Sequence, residues 1–184
     1  MLMGNRTKTE DFETAALPYV NDLFRTAVRF TANRTEAEDL VQEVYLQAWK
    51  SFHRFEMGTN CRAWLFKILM NKNMKRSRKW FATTKETSEM IEDVTYIPPI
   101  SEHLTDEEVL LGLEKIPDCY REAVMLTDVQ QFSYKETANI LNVPIGTMMS
   151  RLNRGRKILR IELAEVAECY GIKMHKSGSV GSKL

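Results

Sequence analysis

"PIGTMMSRLNRGRKIL", residues 144–159, holds four arginine or lysine residues and two hydroxyls in what reads as one helical span. On a 3.6-residue period Met148, Leu152, Gly155 and Leu159 share one stripe, and Thr147, Ser150, Arg151 and Arg154 share a second face about a third of a turn away. The first stripe is expected to join a core, and the second to meet something polar. Immediately upstream, Ser133 and Glu136 form a capping box leading into "YKETANIL", with Ala138, Ile140 and Leu141 for packing. "NVP" then interrupts the pattern. Asn142 stands where the turn needs a left-handed residue, Pro144 stops the first helix from continuing, and Thr147 is available to cap the second. The reading is helix, short turn, helix. A helix-turn-helix lays its second helix in the major groove of DNA. Arg151 and Arg154 are therefore candidates for guanine contacts, and Arg156, Lys157 and Arg160 for phosphates.

Working outward, helical spacing dominates. Thr35 and Glu38 offer a capping box before Leu40, Val41, Val44 and Ala48, and "CRAWLFKILMNKNMKRSRKW" (61–80) carries Trp64, Leu65, Ile68 and Leu69 on its inner side. Residues 11–33 read as one helix or two, with Pro18 tolerable near a first turn. No segment alternates with period two for long enough to form a strand. From about Phe81 to Leu104 the pattern dissolves into threonines, acids and Pro98-Pro99, which reads as a linker. Thr105 and Glu108 suggest another cap, and a new helix should open after Pro117. The glycine- and serine-rich tail from 171 to 184 is expected to be disordered. The fold expected is all-α: two small helical domains, 1–80 and 105–170, joined by a flexible acidic linker over 81–104, the second domain carrying the helix-turn-helix.

The chain has 184 residues and a formal net charge of +1, which divides into +5 for residues 1–80, −8 for 81–118 and +4 for 119–184. Two basic blocks around an acidic one suit two modules that meet a polyanion. No apolar run is long enough to span a membrane, and "MLMGNRTKTEDF" lacks the apolar core of a secretion signal, so a cytoplasmic protein without membrane insertion is expected. Cys61, Cys119 and Cys169 lie 50 residues or more apart with no CxxC motif, which argues against a metal site or a disulfide framework. His53, His103 and His175 have no adjacent nucleophile or metal partner. No catalytic residues, metal or cofactor are expected.

"EAEDLVQEVYLQAW" (36–49), "FEMGTNCRAWLFKILMN" (55–71) and "YREAVMLTDVQQFSYKETANILNVPIGTMMSRLNRGRKIL" (120–159) together resemble the extracytoplasmic-function sigma factors of bacterial RNA polymerase, in the family's order. The resemblance implies a protein that binds core polymerase and directs initiation at specific promoters, often in a stress response. The first stretch would bind the β′ clamp helices, with Asp39, Gln42, Glu43 and Gln47 on or beside its polar face. In the second, a loop near Phe55 to Cys61 would pocket a base flipped from the minus-10 strand. Asn60, Arg62, Trp64 and Asn71 would surround that pocket, and Lys72, Lys75, Arg76, Arg78 and Lys79 would track phosphates. Trp64 also reads as a core residue, being in register with Leu65 and Ile68.

The third stretch would read the minus-35 element, placed by the β flap. The acidic linker would thread toward the polymerase active site, and an anti-sigma factor is a further partner the family implies. Some positions depart from the family pattern. Met149 stands where a basic residue is frequent, Asn153 where an aromatic or histidine is common, Gln131 at a turn position usually held by glycine, and Cys61 where an aromatic is usual. Cys61 reads as a small hydrophobe, with a redox-sensitive thiol as the other reading. A stand-alone helix-turn-helix regulator would explain residues 119–160 but not the two upstream stretches.

Overall fold

In the computed structural model, residues 7–31, 33–81, 112–113 and 115–164 are described, with side chains as far as Arg76 in the fourth helix. Among them every regular element is helical, and no strand occurs. The expected caps at Thr105 and Glu108, the linker and the tail lie outside the described residues.

α1 (Lys8–Ala16) starts at a capping box in which Thr7 Oγ1 accepts from Glu10 N–H while the Glu10 carboxylate accepts from Thr7 N–H. Pro18 cannot donate a helical hydrogen bond, so residues Leu17–Tyr19 tighten into a 3₁₀ turn before α2 (Val20–Thr31). The Ala16 carbonyl stranded at that break accepts from the Tyr45 hydroxyl at 2.8 Å.

α3 (Arg34–Ser51) is capped by Asn33, whose side chain accepts from Glu36 N–H. The cap expected at Thr35 is displaced by two residues, because Asn33 takes the extended backbone a cap requires, φ −138° and ψ 124°. α4 (Cys61–Phe81) follows a loop whose turn at Gly58 has φ +88°, a conformation glycine adopts without a Cβ clash.

α5 (Asp118–Val124) opens after Pro117 as expected and runs into a wide turn over Met125–Val129, where Gln130 N–H reaches the Met125 carbonyl. Gln131 sits at φ +56°, the left-handed conformation that suits glycine. α6 (Tyr134–Leu141) begins with the Ser133–Glu136 capping box and ends at Asn142, φ 55° and ψ 46°. α7 (Ile145–Glu162) is entered through Pro144. Its N-cap is Pro144, which supplies no side-chain bond, so Thr147 is two residues inside the helix and does not cap it.

The N-terminal lobe packs Leu23, Leu40, Val44, Leu65, Phe66, Leu69 and Met70 into its interior, and the C-terminal lobe packs Leu113, Met125, Leu126, Met148, Leu152 and Leu159. The stripe read from residues 144–159 is buried as expected, with Met148, Leu152 and Leu159 at 1% exposure or less. At Gly155, α7 comes so close to α5 that a Cβ would lie 2.6 Å from Val124 Cγ2 and 2.9 Å from the Tyr120 carbonyl oxygen. Phe66 and Phe132 meet edge to face at 5.1 Å, joining the two interiors.

Candidate nucleic-acid interface

Because the Met148–Leu152–Leu159 stripe is spent on packing, α7 turns a different face outward. Thr147 and Lys157 are exposed, and Ser150, Arg151, Arg154 and Arg160 are half-buried along it. Arg154 is steadied by a hydrogen bond from a terminal guanidinium nitrogen to the Tyr120 hydroxyl, 3.3 Å. Ile145 and Met149 add apolar surface at the start of the helix, 51% and 41% exposed. Ile145 was not among the residues expected at this face. It lies two residues before Thr147, where only the assembled hairpin shows that a large apolar side chain is left outside.

Arg156 departs from the expected phosphate contact. It is buried at 5% exposure, with Nε at 2.9 Å and a terminal nitrogen at 2.5 Å from the two Asp128 carboxylate oxygens, and Asp128 is equally enclosed. The planar guanidinium fork matches a carboxylate at two points, which suits a buried pair linking the turn after α5 to α7. Arg156 lies four residues after Leu152 and three before Leu159, on the edge of the buried stripe, a position that admits burial without indicating the partner.

Of the residues expected around a minus-10 pocket, Asn60, Arg62 and Trp64 stand at the start of α4, each with its own partners, and Asn71 lies further along the helix. Asn60 caps α4, its side-chain oxygen accepting from Ala63 N–H at 3.0 Å, and its amide donates to Glu136 in the other lobe at 2.8 Å. Arg62 reaches Asp22 and Gln130. Trp64 is half-buried, with its ring 4.9 Å from Phe55 and 6.4 Å from Phe52, an aromatic floor beneath the Phe55–Asn60 loop.

Asn71 and Lys75 are exposed further along α4. Lys72 and Arg76 pair with Glu43 of α3 at 3.2 and 3.4 Å, and Arg76 also donates to the Glu36 carbonyl. The side chains of Arg78 and Lys79 lie outside the described residues. Cys61 is buried, and burial pushes its thiol up to about 11, so near neutral pH it carries almost no thiolate.

On α3, Asp39, Gln42 and Gln47 are exposed, while Glu43 is half-buried under its pairs with α4. Leu46 is 54% exposed at i+4 from Gln42 and i+7 from Asp39, so this outer stripe is apolar as well as acidic and amidic. Trp49 continues it, with Lys8 Nζ 5.0 Å from the ring centroid. Neither residue was expected there. The signal was a second set of apolar residues at helical spacing that the buried stripe of Leu40, Val44 and Ala48 does not use.

The described residues thus form two helical lobes, the second carrying a helix-turn-helix. Residues 17–81 match the sigma-70 region 2 family, and residues 106–159 match the sigma-70 region 4 family. The chain is 33% identical over 165 residues to the ECF RNA polymerase sigma factor EcfG of Rhodopseudomonas palustris (strain TIE-1), covering 89% of this chain and 91% of that one. It is 29% identical over 161 residues to the ECF RNA polymerase sigma factor SigW of Bacillus subtilis (strain 168), covering 80% and 86%. The sigma factor RpoE of Bartonella quintana, solved in complex with the anti-sigma factor NepR, superposes with a TM-score of 0.69 at 31% identity, covering 84% of this chain and 98% of that one. The chain belongs to the ECF family of RNA polymerase sigma factors. Among the described residues, no helix is long and apolar enough to cross a membrane.

Proposed function

We propose that this sigma factor docks on core RNA polymerase through the outer face of α3 and reads promoter DNA at two places. Asp39, Gln42, Leu46 and Gln47 would meet the β′ clamp helices. The Phe55–Asn60 loop with Asn60, Arg62 and Trp64 would hold the minus-10 strand, with Asn71, Lys72, Lys75, Arg76 and Lys79 toward phosphates. Thr147, Ser150, Arg151 and Arg154 would read the minus-35 major groove, with Lys157 on the backbone. Arg156 holds the reading helix in place through Asp128. Residues 1–80, 81–104 and 105–170 serve as the polymerase and minus-10 domain, the linker and the minus-35 domain.

The observation that carries this reading is the pair of family matches, in order on one chain, combined with the polar and basic face of α7 left open by burial of its apolar stripe. The two DNA contacts are individually weak. Core polymerase, holding both lobes, multiplies them as linked modules do. Phosphodiester chemistry belongs to the core enzyme, the chain works in the cytoplasm, and an anti-sigma factor of the kind that accompanies the Bartonella relative is a further partner.

Reconstitution with core polymerase is the test. The chain should confer initiation at a defined promoter, where a stand-alone regulator would only block it. Arg151→Ala and Arg154→Ala should each relax minus-35 discrimination by about 1–3 kcal/mol at one base pair. Unchanged base preference in both variants would refute the assignment of this face.

A further inference from the structure

The outward side of α7 is not uniformly polar. Ile145 and Met149, four residues apart, adjoin on the helix surface and are 51% and 41% exposed. In a helix a long side chain leans back over the turn before it, which lays Met149 beside Ile145. At about 100° per residue, Met149 stands about 90° from the middle of the buried Met148–Leu152–Gly155–Leu159 stripe. It therefore shares the outward half of the helix with Ser150 and Arg154. Gly146, three residues before Met149 and four before Ser150, adds no side chain, and a Cβ there would meet nothing within 4 Å. The surface beside Met149 is open.

The place of these two residues makes their chemistry selective. The first turns of the second helix in a helix-turn-helix reach base edges. Neither side chain has anything to offer a phosphate, which takes charge or a hydrogen-bond donor. The apolar feature that the major groove presents is the C5-methyl group of thymine, whereas cytosine presents an amino group. An apolar side chain gains by covering the methyl group and loses by burying the amino group without a partner.

We propose that Ile145 and Met149 form an apolar seat for a thymine methyl group, so that the minus-35 element this chain selects contains a T·A pair facing the start of α7. The proposal rests on the minus-35 reading of α7 given above and adds a determinant that selects by burial. The two kinds of contact have different signatures. An arginine on guanine responds to a changed hydrogen-bonding edge. The methyl contact is lost when one carbon is taken from the DNA and every hydrogen bond is kept.

The test presents the holoenzyme, reconstituted from the full chain and core polymerase, with a duplex promoter library randomised across the minus-35 element. Wild type should select a T·A pair that Met149→Ala no longer selects and that Arg151→Ala and Arg154→Ala leave in place. Replacing that thymine by deoxyuridine removes only the methyl group. It should weaken promoter binding by wild type about fourfold, the worth of one buried methyl, and leave binding by Met149→Ala unchanged. Cytosine at that position should cost wild type about tenfold, and Ile145→Ala should give a smaller loss of selection than Met149→Ala. Scanning deoxyuridine through the selected thymines needs the wild-type chain alone, so it decides the matter if a variant loses helical content. Equal affinity for thymine and deoxyuridine at every position would overturn the seat. So would a Met149→Ala variant that keeps its base preference but binds core polymerase less tightly, which assigns the patch to a protein surface. Unchanged selection in both Arg151→Ala and Arg154→Ala refutes the minus-35 reading of α7 and the seat with it, whereas altered selection there without any deoxyuridine effect defeats the seat alone.

Discussion

Replacing Arg156 by methionine decides between two roles for a basic residue on α7. The side chain is 5% exposed and Asp128 7%, with two nitrogen–oxygen contacts at 2.9 and 2.5 Å. Methionine keeps most of the volume but leaves the Asp128 carboxylate buried without its counter-charge. Breaking a buried pair from one side typically destabilises by about 3–5 kcal/mol. With a urea dependence of about 2 kcal/mol per molar, the unfolding midpoint should fall by about 2 M.

Asp128→Asn should lower it in the same direction, and the double variant Arg156→Met/Asp128→Leu should recover much of the loss, because no unpaired charge remains. A residue that only touches a DNA phosphate would behave differently: unfolding would be unchanged, while the salt dependence of DNA binding would fall by about one. An unaltered urea midpoint for Arg156→Met together with that reduced salt slope would refute the structural role.

The close approach at Gly155 should make Gly155→Ala destabilising by about 1–3 kcal/mol, since the Tyr120 carbonyl is backbone and cannot rotate away. Gly146→Ala, where a Cβ meets nothing within 4 Å, should instead raise the melting temperature slightly; equal effects at the two glycines would count against the packing argument. Glu122 has its carboxyl pushed up to about 7, first by burial and then by Asp118, against the lowering effects of Asn73, Arg151 and Arg121. Since the folded value exceeds the ordinary value of 4.5, its contribution to stability is full below about 4.5 and is lost as pH rises through about 7. Glu122→Gln should therefore flatten the pH dependence of the melting temperature in that window and be relatively more stable at pH 8, by at most about 3 kcal/mol. A variant whose melting curve tracks wild type from pH 4.5 to 8 would remove Glu122 from the account.

Local chemistry made much of the architecture legible. The Ser133–Glu136 capping box, the left-handed Asn142 and the break at Pro144 each act within a few residues, so they mark α6, the turn and α7 without reference to the rest of the chain. The Met148–Leu152–Gly155–Leu159 stripe was equally readable, because helical period alone decides which side chains share a face. Caps were less secure. Asn33 rather than Thr35 starts α3, and Pro144 rather than Thr147 starts α7, since competing polar residues near a terminus are separated only by backbone geometry.

Composition and period thus determined the helical character of the described residues, the helix-turn-helix and the face that α7 turns outward, since each depends on interactions within a few residues. Tertiary structure alone decided that Arg156 folds inward onto Asp128 and that Arg62 is held by Gln130, 68 residues away. A long charged side chain has the same sequence signature whether it ends in water, on a phosphate or on a buried carboxylate. Only the placement of the distant partner, fixed when the cores close, distinguishes these ends.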